Sequence, residues 1–220
     1  MSLMSDSAKK TEMEIKLDLI SEQNFVRLLE YFPEPVKMKH QSNYFFDTDN
    51  WDLSRSGWAL RLRKADNSAT ITLKGLMAED IEGLTVRPEI EEPLPVRQFE
   101  EFLNKGIRPE QLPPDIFLLL KDLDPGISLK KRLHFTTDRH IIKYTDAPIQ
   151  VYFEADRTLY QDGSTDYELE IEIEDRSQFD RIMSAVGEIF RKRNIPLKFQ
   201  AESKFARALK KTGIDTGFQG

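Results

Sequence analysis

Apolar and charged residues alternate one for one in segment after segment of this chain. In TEMEIKLDL (11–19), Glu12, Glu14, Lys16 and Asp18 share one parity, and Met13, Ile15, Leu17 and Leu19 share the other. A period of two is that of a β-strand with one apolar and one charged face. The pattern returns in GWALRLRK (57–64), where Arg61 and Arg63 oppose Leu60 and Leu62. It returns in ATITLKG (69–75), where Thr70, Thr72 and Lys74 oppose Ile71 and Leu73. GLTVRPEIEEPL (83–94) sets Arg87, Glu89 and Glu91 on one parity, with Pro88 placing that strand at an edge or bulge. TDYELEIEIED (165–175) is the most regular strand of all. QSNYFFDT (41–48), SLKKRLHFTT (128–137), HIIKYT (140–145) and IQVYFEADRTLY (149–160) complete the expected strands.

A longer period marks the helices. SEQNFVRLLEYF (21–32) spaces Phe25, Leu28, Leu29 and Phe32 helically, with Ser21 as N-cap and Asn24 where a capping box usually has an acid. Residues 97–122 read as two helical pieces divided at Gly106 and Pro109. SQFDRIMSAVGEIFRKRN (177–194) carries a buried stripe of Phe179, Ile182, Met183, Val186 and Phe190. AESKFARALKK (201–211) is a short terminal helix.

About eight or nine strands, joined by short turns with a few inserted helices, predict an α+β fold: a meandering antiparallel sheet that closes into a barrel. The helices do not alternate regularly with strands, which disfavours a doubly wound parallel sheet. One domain is expected over 11–211, preceded by a disordered 1–10 and followed by a loose 212–220. The second methionine in MSLMSD suggests a cloning scar before a native start at Met4.

Composition narrows the chemistry. The 220 residues include no cysteine and only three scattered histidines, His40, His134 and His140. Thiolate and histidine metal sites are disfavoured. There is no signal-peptide pattern and no long apolar run, so the expectation is a cytoplasmic protein without a membrane partner. The net charge of −6, from 32 basic and 38 acidic residues, disfavours a nucleic-acid partner.

The net charge hides an arrangement. For any single strand, a solvent-facing sheet explains the charged parity. The set is harder to explain that way, because acids and bases segregate by strand. Glu168, Glu170, Glu172 and Glu174 stand in a row, Lys130 and Arg132 share a parity, and so do Glu154 and Asp156. If these faces point inward, the amphipathic helices must cover the apolar faces from outside. A carboxylate-rich and guanidinium-rich interior would be costly when empty. It suits a ligand with two poles: carboxylates take hard cations, and Arg and Lys hold phosphate oxygens. The interior thus describes a container for a metal-bound polyphosphate.

Glu12-x-Glu14-x-Lys16 resembles the E-x-E-x-K signature of the CYTH superfamily, the triphosphate tunnel metalloenzymes. Its companions follow in the family's order over roughly 11–210: FFDT (45–48), GWALRLRK, TLK (72–74), RPEIE (87–91), YELEIE (167–172) and SKFARAL (203–209). The resemblance implies a closed eight-stranded antiparallel tunnel with helices packed outside. It implies Glu12, Glu14, Glu168 and Glu170 as catalytic, metal-binding carboxylates for Mg²⁺ or Mn²⁺, any of which could position the attacking water. Lys16, Arg61, Arg63, Lys74, Arg132 and Lys204 would bind the substrate phosphates. Glu89, Glu91 and Asp156 would complete the acidic wall. Two alternatives stay open: Lys130 in place of Arg132, and a metal pair shifted by two to include Glu172.

The implied activity is metal-dependent hydrolysis of a small-molecule triphosphate, foremost inorganic triphosphate. Thiamine triphosphatase and adenylate cyclase activity are the alternatives within the same fold, and a polyphosphate-binding module is the non-enzymatic one. A homodimer is left open.

Overall fold

The computed structural model describes residues 10–32, 37–76, 79–81, 83–121, 127–146 and 149–217. The strands are β1 (Lys10–Asp18), β2 (Lys37–Asp47), β3 (Ala59–Ala65), β4 (Ser68–Lys74), β5 (Glu79–Ile81), β6 (Leu84–Pro93), β7 (Lys130–Asp146), β8 (Ile149–Tyr160) and β9 (Thr165–Glu172). The helices are α1 (Glu22–Leu29), α2 (Asp52–Arg55), α3 (Val96–Lys105), α4 (Pro114–Leu119), α5 (Phe179–Arg193) and α6 (Lys204–Lys211). Ser21 caps α1 by accepting from the Asn24 amide, as the sequence suggests.

All of the strand pairs are antiparallel, in the order β1-β9-β8-β7-β2-β3-β4-β6, and a β1–β6 pairing closes the ring into an eight-stranded barrel. β5 adds a short arm on β6. The strand carrying Pro88 is therefore no edge: β6 pairs with β1 on one side and with β4 and then β5 on the other. Pro88 sits where β6 passes from β4 to β5, and its carbonyl still accepts from the Gly75 amide. Proline cannot return the reciprocal bond to Gly75, so the β4–β6 ladder ends at this handover. The two strands expected at 128–137 and 140–145 are one long strand, β7.

The alternating pattern sorts residues to the two sides of the barrel wall. Outward apolar residues of β1, β8 and β9, such as Ile15, Leu17, Phe153 and Ile171, pack under α1 and α5. Those of β3, β4 and β6, such as Leu62, Ile71 and Ile90, pack under α3 and α4. A third cluster lies within the barrel at one end. There Phe45, Ala59, Phe135 and Tyr160 meet Phe205, Ala208 and Leu209, so α6 closes that mouth rather than covering the wall. Ile214 packs against the same cluster. Among the described residues, no helix is long and apolar enough to cross a membrane. Residues 1–9 and 218–220 of the expected loose termini lie outside the described residues, whereas Lys10 already belongs to β1.

Candidate active site

The inward faces enclose a cavity of about 470 Å³. Glu12, Glu14 and Lys16 of β1, Arg61 and Arg63 of β3, Lys74 of β4, Glu89 and Glu91 of β6, Glu170 of β9 and Lys204 of α6 all line it. The charged face of β1 thus lines an interior. Arg87, Arg139, Glu154 and Glu172 join the wall, and Phe45, Phe135 and Phe205 floor it.

Most of these carboxylates meet a cation. Glu12 takes both of its oxygens to Lys74 Nζ at 2.9 Å, and Arg87 Nε donates to it at 2.9 Å. Arg87 Nη2 also reaches Glu14 at 2.7 Å, and Lys16 lies 2.9 Å from the same Glu14 oxygen. Against the penalty of burial, Lys74 and Arg87 hold the Glu12 carboxyl well below the usual range. Burial and the neighbouring Glu12 push Glu14 upward, and Lys16 and Arg87 outweigh them. Lys74 also pairs with Glu89 at 3.0 Å. Burial, aided by Glu12 and opposed by Lys74, raises the Glu89 carboxyl. Arg61 donates to Thr72 at 3.1 Å and to Glu91 at 3.3 Å.

The opposite wall centres on Asp156, which is fully buried and does not line the cavity. Arg139 grips it bidentately at 2.8 and 2.6 Å and also reaches Glu170 at 2.5 Å and Glu154. Lys204 Nζ lies 2.9 Å from both Asp156 and Glu170 and also contacts Glu168. Arg207 clamps Glu168 and Asp166 from behind. Asp156, Glu168 and Glu170 could together hold a metal ion, yet the Lys204 ammonium bonds to all three. Burial, joined by Glu14 and Asp156 and opposed by Arg139, pushes Glu170 up to about 7. Burial, with Arg139 and Arg207 nearby, pushes Lys204 down to about 7 despite Asp156.

Besides Asp156, expected to face the substrate but lying behind the wall, two expected positions need correction. Arg132 does not line the cavity. The β2–β7 register slips between Phe45, opposite Leu133, and Phe46, opposite Lys131, so Arg132 is the extra residue of a bulge. Its guanidinium lies over Trp51 at 4.9 Å and pairs with Asp49, as does Lys130. Arg139 supplies the basic group of β7 instead. Glu168 is buried behind the cavity wall, engaged by Lys204 and Arg207. Glu170 and Glu172 do line the cavity, with Glu172 directly across from Glu14 and Glu170 across from Lys16. This is the register shifted by two.

The other shared motifs are scaffolding. Asp47 of FFDT is buried and accepts from the amides of Thr48, Leu53 and Ser54 and from the Ser54 hydroxyl, fixing the turn that leads into β3. Ser203 caps α6 by accepting from the Ala206 amide, which sets Lys204 at the first turn.

The chain forms a closed antiparallel barrel whose inward carboxylates, guanidiniums and ammoniums interleave around a cavity, the architecture of a tunnel-type fold. The CYTH domain family matches residues 10–209, and the chain belongs to it. HpAC1 from Hippeastrum, an adenylyl cyclase candidate described with a dominant triphosphatase activity, is 25% identical. The alignment covers 93% of this chain and 97% of that one, with a TM-score of 0.79. An adenylate cyclase candidate from Bacillus halodurans is also 25% identical, covering 90% and 97%, with a TM-score of 0.66. The PH1819 protein from Pyrococcus horikoshii OT3, at 19% identity, 90% and 99% coverage and a TM-score of 0.56, shares the fold. No match is found among curated protein sequences.

Proposed function

We propose that the chain is a divalent-metal-dependent hydrolase of triphosphates, with inorganic triphosphate as its substrate. The observation that carries this reading is the cavity itself: guanidinium, ammonium and carboxylate groups surround its walls. Phe45 stacks on Phe205 at 4.5 Å and packs against Phe135 at 5.3 Å, so the aromatic floor is occupied by its own members. The triphosphatase activity described for HpAC1 supports the same reading.

The donor set fits a hard cation, because four carboxylates, Glu12, Glu14, Glu170 and Glu172, share the cavity wall and no softer ligand competes. These residues would hold Mg²⁺ or Mn²⁺, which when bound neutralises and orients phosphate oxygens. Arg61, Arg63, Arg139 and Lys74 bind the phosphoryl groups and meet the charge that develops on the leaving pyrophosphate. Glu170, on the cavity wall, takes the proton of the attacking water as the new P–O bond forms and the bridging P–O bond breaks. Water and triphosphate thus yield orthophosphate and pyrophosphate.

The test is product release from inorganic triphosphate, ATP and thiamine triphosphate, with Mg²⁺, with Mn²⁺ and with chelator. Phosphate release fastest from inorganic triphosphate, and lost with chelator, is the expected result. Cyclic AMP as the main product from ATP would contradict it.

A further inference from the structure

The cavity cations are not equivalent. Lys16, Lys74, Arg61, Arg87, Arg139 and Lys204 each pair with at least one carboxylate. Arg63 has no carboxylate within ion-pair distance among the described residues. Its single partner is Asn43, whose Oδ1 accepts from Arg63 Nε at 2.9 Å. That bond fixes the guanidinium by its inner nitrogen and leaves the terminal pair without an acceptor. Burial, joined by Arg61 and Arg139, pushes Arg63 down to about 9, so it still carries its charge at neutral pH.

The surroundings of Arg63 are equally incomplete. Asn43, Arg63 and Thr70 stand in one row across β2, β3 and β4. Asn43 is 1% exposed, yet its Nδ2 has no acceptor. Thr70 Oγ1, Arg61 Nε and the Oε1 of Gln41 on the same inward face are also unanswered. Buried polar atoms without partners are uncommon and costly, and here they gather about a cation that no carboxylate contacts directly. This wall is separated from β1 by β4 and β6 in the ring, so it lies away from the Glu12 and Glu14 pole.

We infer that Asn43 is a specificity-determining positioning residue. It holds Arg63 by Nε through a neutral amide and so builds a metal-free subsite for the phosphoryl group farthest from the Glu12 and Glu14 pole. The inference rests on the triphosphatase reading and adds to it a reason for chain-length selectivity. An aspartate here would satisfy Arg63 internally, as glutamates and Asp156 satisfy the other cations. An asparagine keeps the geometry and withholds the charge. The free fork of Arg63 then meets phosphate oxygens bidentately.

The experiment is calorimetric titration of wild type, Asn43→Asp, Arg63→Gln and the double variant with inorganic triphosphate in chelator. Pyrophosphate titrations in Mg²⁺ and thermal melts without ligand accompany it. Asn43→Asp, nearly isosteric, is expected to weaken triphosphate about tenfold or more, as Arg63→Gln does, while melting above wild type. The double variant should be no worse than either single one, because both changes remove one coupled unit. Pyrophosphate affinity in Mg²⁺ should be the same in wild type and Asn43→Asp. Wild-type triphosphate affinity in Asn43→Asp, or losses that add in the double variant, overturns the subsite and leaves the triphosphatase reading standing. A wild type that binds no triphosphate under any condition overturns both.

Discussion

Arg132 and Arg139 lie on the same strand and face opposite ways. Arg132 sits in a run of three cations, Lys130 to Arg132, that draws attention in the sequence. Its parity is opposite to that of the inward Leu133, Phe135 and Arg139, so alternation sends it outward to Asp49, and the sequence does not say which parity of this strand faces in. Arg139 follows Asp138, and the pair reads as a turn between two strands. Only the unbroken β7 ladder shows that Arg139 points inward to Asp156. Arg132→Ala is expected to leave triphosphate turnover intact and to change stability by about 1 kcal/mol or less, since its ion pair is exposed. Arg139→Ala strands a fully buried Asp156 beside one remaining cation. It should cost roughly 3–5 kcal/mol in chemical denaturation and abolish most turnover. Equal effects of the two variants would reverse the assignment of the β7 cation.

The carboxylates also predict a pH dependence for the metal-free protein. Despite burial, Arg139 and Lys204 hold Asp156 below the ordinary range, and Lys74 and Arg87 do the same for Glu12. A lowered folded-state pKa adds stability that is fully present above the unfolded value of about 4 and is lost as the pH falls below it. Glu170 acts with the opposite sign: pushed from 4.5 up to about 7, it penalises the folded state at high pH, and that penalty fades on acidification between those values. Melting temperature in chelator should therefore rise gently from neutrality toward the upper edge of the carboxylate range and fall steeply below about pH 4. Asp156→Asn should flatten the acid limb. A melting temperature that stays constant through that limb contradicts this assignment of buried charge.

Among the elements, those with a strong period were legible and those without one were not. α5 carries its 3.6-residue stripe in plain view, and Ile182, Val186 and Phe190 are indeed buried against the barrel. β5 is three residues with no alternation, and it becomes a strand only because β6 offers a free ladder there. The role of α6 was hidden for another reason. An amphipathic helix does not reveal whether its apolar side meets the outside of a barrel or plugs its end. The two helices therefore give different predictions. Phe190→Ala should cost roughly 3–5 kcal/mol and leave KM for triphosphate unchanged in the protein that remains folded. Leu209→Ala should cost roughly 2–5 kcal/mol and also raise KM, because loosening α6 moves Lys204. Denaturation curves paired with steady-state kinetics separate the two.

For the whole molecule, the segregation of acid and base by strand was visible before any coordinates, and it pointed to a closed interior. Which cation answers which carboxylate was not visible, because that depends on barrel stagger and strand register. The β1–β9 register decides that Glu172, rather than Glu168, faces Glu14. The β1–β6 pairing sets Arg87 directly opposite Glu12 and within reach of Glu14, although its own strand is otherwise acidic along that face. The finished barrel is a charged container in which most ions are paired internally and Arg63 is not. A ligand carrying both a cation and phosphates can take over these pairs, and by mass action it stabilises the fold that binds it. The most direct test is a crystal structure with Mn²⁺ and a non-hydrolysable imido analogue of inorganic triphosphate, read by anomalous scattering. The account predicts a manganese peak among Glu12, Glu14, Glu170 and Glu172, with phosphoryl groups running toward Arg61, Arg63 and Arg139. Manganese and analogue bound outside the barrel, with these side chains unmoved, would contradict it.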